Sequence, residues 1–297
     1  MTGLLKSFEE RQEMLCIYHI ADHDGKGSAA IVKNIYPNAE TLGFSHEMEV
    51  PYDKLKKHNE VVICDISLPM DVMFELNKTK DLVWIDHHVS CISEYDEMME
   101  SKKYEPIKGI RRIGTAAIEL TWEYFYPDRK IPEGIKLLAL NDLFDLKDDR
   151  VRPFEYAVQS IGVNRPEDDI WRKLINNEVD IESTVEKGRA ILSWIKVRNY
   201  RLSRGMVFES KYMGKTCLCA NMPQGYSEFF DSVPNLDKYD FMVNFYMDKK
   251  QEWKMTFYSK RDDVDVSLIA ASFGGGGHKR AAGGGAKELP EFLRRKV

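Results

Sequence analysis

Three short segments put histidine and aspartate side by side: His19-Ile-Ala-Asp22-His23-Asp24-Gly25, Cys64-Asp65 and Asp86-His87-His88. Five of the seven histidines fall in these segments or at His278, leaving His46 and His58 elsewhere. Burying several ionised carboxylates together costs several kcal/mol each unless positive charge compensates. No Lys or Arg neighbours Asp65 or Asp86 in sequence, so a divalent cation is the simplest compensation. Mixed carboxylate and imidazole ligands suit Mn²⁺, Fe²⁺, Co²⁺ or Zn²⁺, whereas an all-oxygen set suits Mg²⁺. The ligands are too many for one ion, and a shared carboxylate such as Asp65 could bridge two. Paired metals clamp the attacking and leaving oxygens of phosphoryl transfer. Taken singly, each residue has an ordinary reading: Asp22 as a helix N-cap, His87-His88 as a loop pair.

The elements around these residues favour the collective reading. Met14–Tyr18, Val61–Cys64 and Leu82–Ile85 are short apolar runs that read as strands buried on both faces. Helical patterns at Gly27–Tyr36 and Pro69–Asn77 alternate with them, which predicts a parallel sheet covered by helices. In such a sheet the carboxyl ends of neighbouring strands converge on one crevice. Helices are expected at Thr115–Tyr126, Pro132–Leu146, Pro153–Ile161 and Ile181–Leu202. Beyond Arg204-Gly205, short strand patterns appear at Met206–Glu209, Thr216–Asn221, Phe241–Met247 and Trp253–Ser259, followed by a Gly-rich block and a charged helix at Leu289–Lys296. The fold class is therefore α/β: a parallel-sheet N-terminal domain with flanking helices (residues 1–200) and a smaller α+β C-terminal domain (205–297), with a linker near 196–206. Trp122, Trp171 and Trp194 are expected to be core or partly buried.

Composition narrows the partners. Lys plus Arg is 43 against 48 for Asp plus Glu, a net charge of −5 over 297 residues. That argues against a general nucleic-acid coat or a basic membrane-surface protein. No run approaches the ~18–20 apolar residues of a membrane span, and Met1–Gln12 has no apolar signal core, so a cytoplasmic location is expected. Ser7–Glu10 reads as a capping box. Five cysteines without a Cys-x-x-Cys pair argue against a zinc or disulfide framework; Cys217 and Cys219 would share one face of a strand and fill core.

The ordered set of motifs resembles the DHH phosphoesterase superfamily, whose name is the tripeptide Asp86-His87-His88. The first motif matches His19, Asp22, Asp24 and Gly25, the second Asp65. The fourth, an aspartate on a later helix, matches Asn141-Asp142-Leu-Phe144, with Asp145 as runner-up. Gly274–Gly277, His278, Lys279, Arg280, Ala281, Ala282 and Gly283 resemble the signature of the DHH-associated C-terminal domain, and Ser259-Lys-Arg261 its Ser-x-Arg element. The resemblance implies that His19 and Asp22 hold one metal, that Asp24, His87 and Asp142 hold the other, and that Asp65 bridges them. It implies an orienting role for Asp86 and a proton-donor role for His88, both in catalysis. His23 receives no ligand role. Two divalent ions are implied, Mn²⁺ first, with Mg²⁺ or Co²⁺ as alternatives.

Glycines allow backbone N–H groups to approach an anion closely, so Gly275, Gly276, Gly277, His278, Arg280 and Arg261 are candidate substrate-binding residues. Arg112, ahead of Gly114-Thr115, is another. The basic stretch Lys187, Arg189, Lys196, Arg198, Arg201, Arg204 reads either as a wall facing a nucleotide backbone or as a solvated helix face. The expected function is hydrolysis of phosphate esters of short nucleotides: an oligoribonuclease, a dinucleotide phosphodiesterase or a 3′-phosphoadenosine 5′-phosphate phosphatase. A RecJ-like single-strand exonuclease and a non-catalytic nucleotide sensor are the alternatives. The Gly-Gly-Gly-His block argues against a family II pyrophosphatase. Short oligonucleotides or a nucleotide are the expected partners, with no membrane, and a homodimer is expected because many relatives are dimers.

Overall fold

The computed structural model describes residues 14–162, 164–223 and 227–295; the capping box at Ser7–Glu10 lies outside them. The chain divides into two compact units, Met1–Ile191 and Leu192–Val297.

The first unit opens with β1 (Leu15–His19), α1 (His23–Ile35), β2 (Glu40–Phe44), α2 (Tyr52–Leu55), β3 (Glu60–Cys64), α3 (Met70–Thr79), β4 (Asp81–Ile85) and α4 (Val89–Glu100). The four strands form an all-parallel sheet in the order β2-β1-β3-β4. Alternation within the apolar runs explains why both faces are covered. Leu15, Ile17, Val61, Ile63, Leu82 and Trp84 pack with Met73, Phe74 and Tyr95 from α3 and α4. Cys16, Tyr18, Val62 and Cys64 point the other way, against Ala29 and Val32 of α1. Each fully buried aliphatic side chain contributes about 1.5–3 kcal/mol. A helical layer follows: α5 (Ala117–Phe125), α6 (Glu133–Asp142), α7 (Val151–Ser160), α8 (Asp169–Ile175) and the start of α9 (Ile181–Met206). Phe154, Trp171, Leu138 and Ile118 are at its centre.

The sequence pattern misses β2, α2, α4 and α8. The strand Glu40-Thr-Leu-Gly-Phe44 lies at the sheet edge with four of its five residues only partly buried, so it needs no apolar run. Helix α6 ends at Asp142 rather than at Leu146, because Phe144 adopts a left-handed φ of 56°.

The second unit contains β5 (Val207–Tyr212), β6 (Lys215–Asn221), β7 (Phe241–Met247), β8 (Trp253–Tyr258), α10 (Val266–Ala271), β9 (Gly276–His278) and β10 (Ala281–Ala286). Its mixed sheet runs β5-β6-β7-β8-β10-β9, with only β6 and β7 parallel. Cys217 and Cys219 are buried with Phe241, Val243, Phe245 and Phe257 against Ile269 and Ala270 of α10.

Several expectations need correcting. The Gly-rich block builds the hairpin β9–β10. Among the described residues of Leu289–Lys296 the expected helix is reduced to a 3₁₀ turn, Glu291–Leu293, which follows Pro290. There the Phe292 carbonyl accepts a hydrogen bond from the Ser210 hydroxyl at 2.6 Å, which ties the segment to β5 instead of to its own next turn. Trp122 and Trp171 are buried, whereas Trp194 is 66% exposed. The division between the units falls inside the continuous helix α9, ahead of Arg201–Gly205. Among the described residues no helix is long and apolar enough to cross a membrane.

A candidate metal centre at the carboxyl edge of the parallel sheet

Strands β1 and β3 are neighbours, and the chain leaves them in opposite directions, through α1 to β2 and through α3 to β4. Such a switch point opens a crevice at the carboxyl ends of the strands. His19 ends β1, Asp65 follows β3, and Asp86, His87 and His88 follow β4.

Asp22 caps α1 and at the same time faces His19. As the N-cap of α1 it accepts from the Gly25 N–H through Oδ1 at 3.0 Å, while Oδ2 lies 2.8 Å from His19 Nδ1. Gly25 makes this possible: a Cβ there would collide with the backbone carbonyl and Cβ of His19, so only glycine lets the first turn of α1 lie so close to the end of β1. Asp24 is buried, and its two oxygens accept from the N–H groups of Ala117 (2.8 Å) and Ile118 (2.7 Å) at the start of α5. A helix N-terminus favours the carboxylate there. Burial and the Asp65 charge outweigh it and push the Asp24 carboxyl well above its usual range.

Asp65 is the most constrained member. It is buried, has a left-handed φ of 60°, and neither of its oxygens receives a hydrogen bond. Left-handed backbone at a residue other than glycine is tolerated best by Asp and Asn and costs on the order of 1 kcal/mol. The result is a carboxylate that faces two ways. Oδ2 lies 3.5 Å from His19 Nδ1 and Oδ1 lies 3.2 Å from His87 Nε2. Burial and the neighbouring Asp22 charge raise its pKa well above the usual value.

His87 Nε2 also stands 3.6 Å from Asp24 Oδ2 and 3.5 Å from Asp142 Oδ2. Burial, with Asp24 beside it, pushes Asp142 up to about 8. Asp142, at the end of α6, is thus the α6 aspartate at the centre, while Asp145 pairs with Lys147 outside it. Buried Asp86 accepts from the N–H groups of His87 (2.7 Å) and His88 (3.0 Å), from Trp84 Nε1 (3.1 Å) and from His88 Nδ1 (2.8 Å). Burial would raise Asp86, but its bonds to His88 hold it below the ordinary value. Burial likewise opposes the charge on His88 and His19. Yet the Asp86 bond brings His88 to about 9, and the Asp22 and Asp65 carboxylates bring His19 to about 10.

Two ligand groups result, His19–Asp22–Asp65 and Asp24–His87–Asp142, and a third, Asp65–His87–His88, overlaps them; within each, the ligand atoms lie within 4.8 Å of one another. The residues fit divalent cations on their own chemistry. They offer an excess of buried carboxylates, imidazole donors beside them, and one carboxylate left without a proton donor at the meeting point. His23 turns away: its Nδ1 lies 2.8 Å from Glu155 Oε1 on α7.

Sequence reasoning missed the backbone donors of the centre and the place of one histidine near it. The Ala117 and Ile118 N–H groups are backbone donors and leave no trace in side-chain pattern. His46 follows β2 on the same carboxyl edge; burial and the nearby charges of His19 and His88 push its pKa down. Its position after a strand is visible only once β2 is known.

The remaining candidates are not in this group. The Arg112 guanidinium forks onto Glu123 at 3.0 and 2.8 Å. In the second unit, Arg261 forks onto Asp263 at 2.9 and 2.7 Å, and Arg280 holds Asp262. Gly276 and His278 are exposed on β9. Gly275 and Gly277 have an architectural reason to be glycine. A Cβ on Gly275 would strike the Gly283 carbonyl, and Gly277 has a φ of 138°.

This architecture has a clear counterpart. RecJ from Thermus thermophilus, solved with Mn²⁺, superposes with a TM-score of 0.50 at 14% identity, over 93% of this chain and 50% of that one. The chain has the DHH fold. A pGpG-specific phosphodiesterase from Vibrio cholerae is also similar, at 13% identity and a TM-score of 0.48 over 92% and 93% of the two chains. No family model matches this chain. An uncharacterized protein of Acanthamoeba polyphaga mimivirus is 26% identical over 295 residues, and the match covers 90% of this chain and 66% of that relative's length.

Proposed function

We propose that this protein is a metal-dependent phosphohydrolase acting on phosphate esters of short nucleotides. The observation that carries the reading is Asp65, a buried carboxylate whose two oxygens lack hydrogen-bond donors and face the two flanking His/Asp groups. His19 and Asp22 would hold one divalent cation, Asp24, His87 and Asp142 a second, with Asp65 shared. Bound there, a pair of cations neutralises phosphoryl oxygens and acidifies an attacking water; Mn²⁺ is the expected ion.

The chain's own residues do the rest. Asp24 is fixed by two backbone N–H groups and cannot swing away when the charge around it changes. Asp86 fixes the His88 ring through Nδ1, which leaves His88 as the proton donor to the leaving oxygen. General acid catalysis of this kind supplies about 10²- to 10⁴-fold.

In this reading the second unit holds the nucleotide. Gly275–Gly277 would bring backbone close to the ligand, with His278, Arg261 and Arg280 as its candidate side-chain partners. Exposed ion pairs such as Arg261–Asp263 contribute only about 0–1 kcal/mol, so a phosphate can replace the carboxylate at little cost. The test is a Mn²⁺ activity screen over pAp, pGpG, cyclic dinucleotides, RNA 2-mers to 24-mers and single-stranded DNA, with Asp65→Ala in parallel. Hydrolysis of a dinucleotide or pAp that vanishes in Asp65→Ala supports the reading. No hydrolysis of any of these, or equal hydrolysis by the variant, overturns it.

A further inference from the structure

Helix α9 continues into the second unit as a strip of unusual composition. After Glu186 the chain has no Asp or Glu until Glu209, although the protein as a whole is acidic. At 100° per residue, Trp194, Arg198 and Arg201 line one face, with Val197 and Arg204 along its margin. The opposite side carries buried Asn199 and Ser203. Trp194 is 66% exposed and Val197 51%, so the apolar members of the strip are not core. The Arg198 guanidinium stands 5.9 Å from the centre of the Trp194 ring. Among the described residues no carboxylate lies within ion-pair distance of Arg198, Arg201 or Arg204. By contrast, Arg189 on the same helix is paired with Glu186 and Asp149.

The ligand that fits must be anionic at short intervals and planar between the charges. From Trp194 to Arg204 the helix rises about 15 Å, room for a few nucleotides. Bases stack on an exposed indole, and guanidinia take the phosphates beside it. A second copy of the chain fits poorly. A two-fold contact would set the same patch against itself, arginine against arginine. We propose that Trp194, Arg198 and Arg201 form a binding strip for single-stranded nucleic acid, outside the metal centre. The inference rests on the phosphohydrolase reading only in taking this strand to be substrate.

The test uses the full chain in EDTA, so that cleavage plays no part. Binding of fluorescein-labelled 12-mer oligo(U) and oligo(dT) is followed by anisotropy across a salt series. The strip predicts salt-dependent binding, with quenching of Trp194 emission. Trp194→Ala weakens it roughly tenfold or more. Arg198→Gln with Arg201→Gln flattens the plot of log K against log salt by about 1.4, two phosphate contacts at ~0.7 each. Lys196→Gln, which removes one positive charge from another side of the same helix, leaves the slope as it was. All these side chains are exposed, and far-ultraviolet circular dichroism verifies that each variant folds.

Three results overturn the strip: no binding of either 12-mer, equal loss from Lys196→Gln, or Trp194→Ala with full affinity. So do two alternative occupants: self-association by sedimentation that Trp194→Ala abolishes, or preference for anionic phosphatidylserine vesicles over oligonucleotides. Because metal is absent, the two proposals fail separately. Oligonucleotide binding without hydrolysis in the Mn²⁺ screen sinks only the phosphohydrolase. Hydrolysis without strip-dependent binding sinks only the strip.

Discussion

Asp86 Oδ1 lies 2.8 Å from His88 Nδ1, and this contact decides which nitrogen the imidazole offers to anything else. The tautomer and ring plane follow from it, because Asp86 is itself clamped by two backbone N–H groups and Trp84. An amide at position 86 keeps the shape but not the charge. Asp86→Asn should lower kcat about 10- to 100-fold, the usual cost of losing such an orienting carboxylate, with metal content unchanged. Metal analysis beside initial rates decides it; wild-type rates would remove Asp86 from the catalytic account.

Asp65 makes function and stability pull apart. Without cations, burial and the neighbouring Asp22, Asp24 and Asp142 carboxyls disfavour ionisation of Asp65 and make its carboxyl costly to bury. Asparagine tolerates the left-handed backbone as well as aspartate does. Asp65→Asn should therefore raise the Tm of the metal-free protein by about 2–4 °C for each kcal/mol of that cost removed, while hydrolysis falls below detection. Asp65→Ala loses hydrolysis equally but recovers less Tm, because alanine bears the backbone strain. Differential scanning calorimetry in EDTA compares the three proteins.

The raised pKa values set a pH dependence with a definite sign. Asp142 titrates near 8 in the folded, metal-free state against 3.8 as a free carboxyl, so the folded state holds the extra proton between those values. That contribution to stability is complete below about pH 4 and is lost as pH rises through 8. His19, raised from 6.5 to about 10, acts in the same sense, its contribution present below 6.5 and lost by 10. The metal-free Tm should fall from pH 6.5 to 9. Divalent cations displace these protons, so the gain in Tm on adding Mn²⁺ should grow over the same range. A metal-free Tm that rises with pH contradicts this picture.

Gly25 links packing to ligand geometry. Gly25→Ala forces the first turn of α1 away from the His19 carbonyl, and a clash with backbone of this kind costs about 1–3 kcal/mol. Asp22 and Asp24 move with that turn. Cation affinity by calorimetry should fall at least tenfold, more than the loss of Tm alone would suggest.

Much of the centre was legible because each ligand follows an apolar run that had to be a strand, and strand ends of a parallel sheet converge. Asp142 needed the family resemblance, and the choice over Asp145 needed the structure, since it depends on where α6 stops. Strand β2 was hidden by its edge position, and His46 with it. The glycine block was read for its chemistry, whereas Gly275 and Gly277 also serve the backbone contact between β9 and β10. Trp194 shows the opposite error. Large aromatics are usually buried, and nothing in the local pattern says that this one faces solvent.

Crystals of the protein soaked in Mn²⁺ and measured at the manganese absorption edge test the central claim most directly. Two anomalous peaks should appear about 3.5–4 Å apart, one beside His19 and Asp22, the other beside Asp24, His87 and Asp142, with an oxygen of Asp65 reaching each. A single peak that leaves Asp65 untouched, or none among these side chains, would contradict it.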